Sequence, residues 1–168
     1  MKVGIIGTGL QFNRRAPIIH QSDSDEITMV CGTNKDIAKN IESQYNCQTT
    51  ERWEKIVSQK DIEIILICTP PNIHAEICIE AIKQGKHVLC EKPLSRDLDE
   101  AKNMVSIAKK YNKILKCGFN HRHHSSISYM KEEIDKKTLG KVLWMRGRYG
   151  KSVDESFYNN WRSKKKYS

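Results

Sequence analysis

The chain has 168 residues, room for one ordinary domain and the beginning of another, and it can bury a core without disulfides or metals. Its 29 basic and 20 acidic residues give a net charge of +9, which favours anionic partners such as a phosphate-bearing cofactor, a nucleic acid or a membrane surface. No leader is expected at the N-terminus, and no apolar stretch approaches the roughly 20 residues that span a bilayer, so a cytoplasmic protein without a membrane partner is expected.

In chain order, 2–7 (KVGIIG) is an apolar strand running into glycines, and 12–21 is helical with Pro17 in its first turn or kinking it. A strand over 27–31 (ITMVC), a helix over 36–45, a brief strand at 47–49 and a short helix over 53–58 follow. The run 62–68 (IEIILIC) is continuously apolar and β-branched, the pattern of a strand covered on both faces of a parallel sheet. A helix over 74–84 closes at Gly85, a strand follows at 87–90, and Asp97 with Glu100 caps a helix to about Tyr111. The spacing then predicts a strand over 114–118, a helix over 126–137, and an alternating strand over Lys141–Tyr149. The fold class is α/β, a doubly wound parallel sheet, with ligands beyond the carboxyl ends of the strands.

The six cysteines include no C-x-x-C pair, and Cys31, Cys68, Cys90 and Cys117 sit at or near the ends of apolar runs. Free buried thiols in a reducing compartment behave this way. His121, His123 and His124 have no helical ligand spacing and no cysteine or acid nearby, so no metal site is expected. Aromatics are few within basic surroundings, which argues against a nucleic-acid partner, and the cluster Arg162–Lys166 is expected to be a solvated terminus.

The stretch GTGLQF places Gly7 and Gly9 where a dinucleotide fingerprint has its first two glycines, so Gly7, Thr8, Gly9, Leu10 and Gln11 are expected to hold a pyrophosphate at a helix N-terminus. The third glycine is replaced by Phe12. Where NAD-binding chains place an acid on the ribose diol, this one has Gly32, Thr33, Asn34 and Lys35; the last three are expected to accept a 2′-phosphate, favouring NADP over NAD. A plain turn with a helix cap at Thr33 or Asn34 is the alternative, and both can hold together. Two prolines stiffen TPPNIH, whose Asn72 and His74 can face a cofactor or, for Asn72, cap the next helix. In HVLCEKPLS the proline ends the strand and pins Lys92 at the rim, where an ammonium can bind a substrate hydroxyl and stabilise an alkoxide.

Together GIIGTG, ILICTPPNIHAE, AIKQGKHVLCEKPLS and GFNHRHH resemble the glucose–fructose oxidoreductase, inositol dehydrogenase and MocA-like (Gfo/Idh/MocA) family over essentially the whole chain. The resemblance implies an NAD(P)-dependent oxidoreductase of sugars, cyclitols and their derivatives, with a Rossmann domain over 1–122 and the start of a truncated second α/β domain over 123–168. It implies that Thr69, Pro70, Asn72 and His74 line the cofactor, that Glu91 and Lys92 sit by the nicotinamide ribose with Lys92 reaching the substrate, and that Asn120 and Arg122 approach the nicotinamide. A cis bond before Pro93 and a homo-oligomer are also implied. Family members use the histidine of an Asp-x-x-x-His helix as proton acceptor, and no such motif occurs here. The chain is therefore expected to bind cofactor but to be inactive alone, as an excised piece or a truncated gene product. A stand-alone binding or sensing module is the alternative. Without sheet partners, residues 141–149 are expected to self-associate or to be disordered.

Overall fold

The computed structural model describes residues 1–150, 152, 155–159 and 163–164. They fall into two units, 1–118 and 119–164, each described by itself.

The first unit alternates strand and helix: β1 (Lys2–Ile6), α1 (Leu10–His20), β2 (Glu26–Cys31), α2 (Lys35–Tyr45), β3 (Gln48–Thr50), α3 (Trp53–Val57), β4 (Ile64–Ile67), α4 (His74–Lys83), β5 (His87–Cys90), α5 (Leu98–Lys110) and β6 (Leu115–Cys117). The strands form one parallel sheet in the order β3-β2-β1-β4-β5-β6. The strand order reverses beside β1, so a crevice is expected where the tips of β1 and β4 part.

The continuous apolarity of the central strands has a direct cause. Ile6, Met29, Cys31, Ile65, Ile67, Val88 and Cys90 enter one core cluster with residues of α3, α4 and α5. Val3, Ile5, Ile27, Val30 and Leu66 enter the other, with Phe12 and Ala16 of α1 and Ile41 and Tyr45 of α2. Neighbouring residues of one strand thus feed opposite faces, and each fully buried isoleucine contributes about 1.5–3 kcal/mol. Phe12, standing where a packing glycine is usual, meets Tyr45 edge-on at 5.7 Å between ring centroids. Pro17 lies inside α1 rather than in its first turn.

The caps follow the residues expected to make them. Asp97 accepts from the N–H groups of Asp99 and Glu100, and Asn34 accepts from those of Asp36 and Ile37. Gly85, at φ +81, carries the chain out of α4 into a turn closed by Lys86 N–H on the carbonyl of Ala81. Lys86 is itself buried and donates to the carbonyls of Gln59 and Ile62, so its cation closes the loop below β4 while burial pulls its pKa down.

In the second unit a 3-10 turn (Asn120–His123) precedes α6 (Ser125–Asp135), whose first turn is capped by the His124 ring. The strand expected over Lys141–Tyr149 does not form: residues 141–150 are neither strand nor helix, and Leu143, Trp144, Met145 and Tyr149 are exposed. Alternation marks two faces but supplies no partner, and no other strand exists among the described residues of this unit to complete a ladder. The Arg162–Lys166 cluster, except Ser163 and Lys164, lies outside the described residues.

Candidate functional site

The tips of β1, β2, β4, β5 and β6 bring most of the expected residues to one rim. Gly7 N–H donates to the Cys31 carbonyl at 2.9 Å, Cys68 N–H to that of Ile6 at 2.7 Å, and Glu91 N–H to that of Ile67 at 2.9 Å. Gly118 N–H reaches the Cys90 carbonyl at 2.8 Å. These bonds lock successive strand ends to one another, so loops distant in sequence become neighbours.

At β1 the turn requires glycine twice over. Gly7 has φ +104, and a Cβ there would stand 2.8 Å from the backbone carbon and oxygen of Cys68. Gly9, at the N-cap of α1, has nothing within 4 Å of a notional Cβ, and no side chain caps the helix. The orphan N–H groups and positive dipole end of this eleven-residue helix therefore face open space. Leu10 is exposed beside them and Gln11 partly buried.

At β2, Gly32 lies against Thr8. Asn34 spends its carbonyl oxygen on capping α2, while Lys35 is exposed and 3.8 Å from Glu51. Glu51, just past β3, is a rim carboxylate that no single-segment reading of the sequence points to.

At β4, Thr69 and Pro70 lead into a 3-10 turn (Pro71–Ile73), and Asn72 does not cap α4. Thr69 Oγ1 and Asn72 Oδ1 are buried without a hydrogen-bond partner among the described residues, an arrangement that costs free energy unless something else satisfies them. His74 is fully buried, with Nδ1 2.9 Å from the Pro93 carbonyl and Nε2 2.8 Å from that of Thr69. Its ring ties the β4 loop to the β5 loop from beneath, which places it behind the groove surface rather than on it.

At β5, the Glu-Lys-Pro segment divides its labour. Glu91 is 4% exposed; its Oε1 accepts from Arg15 Nε at 2.6 Å and from the Arg15 terminal nitrogen, and its Oε2 from Lys92 N–H at 3.2 Å. Gly118 gives this pair room, since a Cβ there would lie 2.9 Å from Arg15 and 3.1 Å from Glu91. Sequence reasoning missed Arg15. The available signal was an acid at the end of a buried strand, which needs a cation. Lys92 is exposed, and the Lys92–Pro93 bond is cis. Cys68 lies under the rim, its thiol pushed up to about 12 by burial and then by Glu91, so it stays protonated.

Asn120 and Arg122 belong to the second unit, in its 3-10 turn, with the Arg122 guanidinium 5.6 Å from the Phe119 ring centroid. Among the described residues, no group of three His, Cys, Asp or Glu residues could hold a metal ion, and no helix is long and apolar enough to cross a membrane.

The donors of the first unit fit a dinucleotide on their own chemistry. An uncapped helix end beside a bare Gly9 suits a pyrophosphate, and orphaned polar atoms in the neighbouring loop suit a polar ring or ribose.

The comparisons agree with this geometry. A levoglucosan dehydrogenase of Pseudarthrobacter phenanthrenivorans is 32% identical over 140 residues, 82% of this chain and 36% of that protein. A myo-inositol 2-dehydrogenase of Lactobacillus plantarum superposes with a TM-score of 0.77 at 26% identity, over 84% of this chain and 43% of that one. A 3-ketoreductase of Actinomadura kijaniata, solved with NADP and TDP-benzene, gives 0.73 at 27% identity over 81% and 42%. The chain thus spans less than half the length of these relatives. Residues 1–119 match the GFO_IDH_MocA description, an oxidoreductase family with an NAD-binding Rossmann fold. With that match over a six-stranded parallel sheet and a glycine turn at β1, the chain belongs to the Gfo/Idh/MocA oxidoreductase family, whose dinucleotide-binding domain it carries.

Proposed function

We propose that the rim binds a nicotinamide dinucleotide, NADP in preference to NAD, and that the whole protein is a cytoplasmic oxidoreductase of a secondary alcohol on a sugar, cyclitol or derivative. The observation that carries this reading is the uncapped α1 terminus opening on empty space at Gly9, next to a Gly7 pressed against β4. Gly7, Thr8, Gly9, Leu10 and Gln11 hold the pyrophosphate through backbone N–H groups. Thr69, Pro70 and Asn72 line the nicotinamide side, where the buried Thr69 and Asn72 oxygens gain partners. The preference for NADP draws on Gly32 and Lys35: position 32 carries no carboxylate to take a ribose diol, and the loose, exposed Lys35–Glu51 pair leaves the ammonium free to turn towards a 2′-phosphate. The ketoreductase relative solved with NADP supports the same choice.

The nicotinamide, when bound, supplies hydride chemistry. Lys92 hydrogen-bonds the substrate hydroxyl and stabilises negative charge developing on that oxygen. Glu91 and His74 act on Lys92 through the backbone, one holding its N–H and the other the carbonyl of Pro93. Asn120 and Arg122 are assigned to the nicotinamide side by resemblance. Domain limits of 1–122 and 123–168, and self-association of the whole protein, belong to this reading. Fluorescence titration of the chain with NADPH and NADH tests it: saturable binding of both, tighter for NADPH, is expected, and no saturable signal with either would remove it.

A further inference from the structure

A dinucleotide crosses the crevice where the strand order reverses, one nucleotide on each half of the sheet. With the adenosine ribose met at the β2 tip, the nicotinamide falls to the half formed by β4, β5 and β6. Charges fixed at the β5 tip therefore act on the ring. That ring is cationic when oxidised and neutral once it has accepted a hydride. An uncompensated charge at the β5 tip would thus hold the two redox states unequally.

Glu91 carries such a charge, and Arg15 is placed to cancel it. The carboxylate is buried, with Oε1 accepting from Arg15 Nε at 2.6 Å and from the Arg15 terminal nitrogen. Its Oε2 is turned to the Lys92 N–H. Lys92 is exposed, so water and salt screen its ammonium, whereas buried charges are screened far less. The balance between Glu91 and Arg15 then decides the field at the ring. The guanidinium comes from α1, and the β6 tip makes room for it: a Cβ on Gly118 would lie 2.9 Å from the Arg15 terminal nitrogen and 3.1 Å from Glu91 Oε1. Three elements hold the two charges together.

We propose that Arg15 sets the redox preference of the site: by neutralising Glu91 it keeps the β5 tip from favouring the oxidised, cationic nicotinamide over the reduced one. The inference rests on the reading of the rim as a dinucleotide site. It makes Arg15 a positioning residue that acts through the Glu91 carboxylate.

The test uses the chain itself and three variants, Arg15→Met, Glu91→Gln and the double Arg15→Met/Glu91→Gln. Each is titrated with NADP⁺ and with NADPH at one pH and ionic strength, well below its melting point, and the ratio of the two dissociation constants is read. Arg15→Met is expected to move that ratio about tenfold towards NADP⁺, the effect of one poorly screened unit charge on another about 10 Å away. Tenfold corresponds to about 30 mV in the potential of a bound two-electron couple. Glu91→Gln leaves the guanidinium uncompensated and is expected to move the ratio about threefold the other way. Its effect is smaller because the Arg15 side chain is 19% exposed against 5% for Glu91. The double variant is expected to return to within about twofold of the parent ratio. A merely structural pair would weaken both nucleotides together; an unmoved ratio, or shifts of the same sign in both single variants, would overturn the role of Arg15 and leave the dinucleotide site standing. Should Arg15→Met fail to fold, Glu91→Gln against the double variant decides, and equal ratios there would overturn the role. Failure of the unmodified chain to bind either nucleotide would overturn the dinucleotide reading itself, a result separable from the others because it appears before any substitution.

Discussion

Arg15→Met, on α1, removes the guanidinium paired with Glu91 while keeping most of the alkyl volume of the side chain. Among the described residues, Glu91, 4% exposed, is then left with a carboxylate whose Oε2 meets only a backbone N–H, that of Lys92 at 3.2 Å, and whose Oε1 has lost both bonds to Arg15. Breaking a buried pair by deleting one partner costs about 3–5 kcal/mol, because the remaining charge stays desolvated. The Arg15 side chain is 19% exposed, so water can follow into part of the vacated space, and the lower end of that range, about 3 kcal/mol, applies. For a domain of this size each kcal/mol lowers Tm by roughly 3–4 °C, so a fall of about 10 °C is expected. Urea unfolding followed by circular dichroism measures the free energy directly. The double variant Arg15→Met/Glu91→Gln removes both charges while its amide oxygen still accepts from Lys92, and it is expected to be at least about 1.5 kcal/mol more stable than the sum of the singles predicts. A single Arg15→Met within about 0.5 kcal/mol of the parent, or strict additivity in the cycle, would refute the pair as a structural element of the rim.

Gly7→Ala combines positive φ with a Cβ driven onto the Cys68 backbone, and is expected to cost at least about 2 kcal/mol in urea unfolding and to abolish the NADPH signal. Lys92→Ala, at an exposed side chain, is expected to leave stability within about 0.5 kcal/mol, yet to lower turnover in the proposed oxidation at least about 100-fold; unchanged turnover would remove Lys92 from the chemistry. Burial pushes the Cys31 and Cys47 thiols up to about 11 and those of Cys68 and Cys78 up to about 12, well above the ordinary thiol range. Folded pKa values above the unfolded ones mean that the stability these thiols contribute is complete below about pH 9 and is lost as pH rises through about 11–12. Iodoacetamide at pH 8 should therefore label these four slowly until the chain is unfolded, which peptide mass mapping reads; rapid native labelling of Cys68 would contradict its burial. Asp97→Ala is expected to cost about 1 kcal/mol through the lost cap of α5.

The strands and helices of the first unit were legible because each central strand must be apolar on both faces and each helix on one, and those two periods differ. Boundaries moved by a residue or two: the run from Ile62 to Cys68 is paired only over Ile64–Ile67. Gly7, Gly9 and Asn34 were legible because their roles are local, set by a turn or a cap. Arg15 and Glu51 were not. Their partners, Glu91 and Lys35, are brought close only by the packing of a helix end or by the sheet order β3-β2-β1. His74 closes a segment that reads as site lining but is the first residue of α4, and its ring meets the β5 loop through a contact between residues 19 apart in sequence. Lys141–Tyr149 failed for the complementary reason: its alternation is real, but a ladder needs a second strand, and the alternation of one segment carries no information about whether another exists.

The rim therefore separates two tasks that the sequence motif runs together. Its acid and its histidine, Glu91 and His74, are turned inwards to protein: Glu91 accepts from an arginine and a backbone N–H, and the His74 ring lies between two carbonyls, to one of which a neutral ring donates. The groups that the proposed reading gives to a ligand are of another kind, the amides at the start of α1, two orphaned side-chain oxygens and the exposed ammonium of Lys92. An ammonium on a loop is a poor catalytic group unless its backbone is fixed, because a misplacement of about 1 Å forfeits much of the rate. Here the residue before it is anchored to α1 and the residue after it to the β4 loop, so the cation is free only at its side chain. That arrangement answers why a buried strand should end in an acid, a lysine and a proline: the acid and the proline carbonyl are the two fixed points between which the lysine is held.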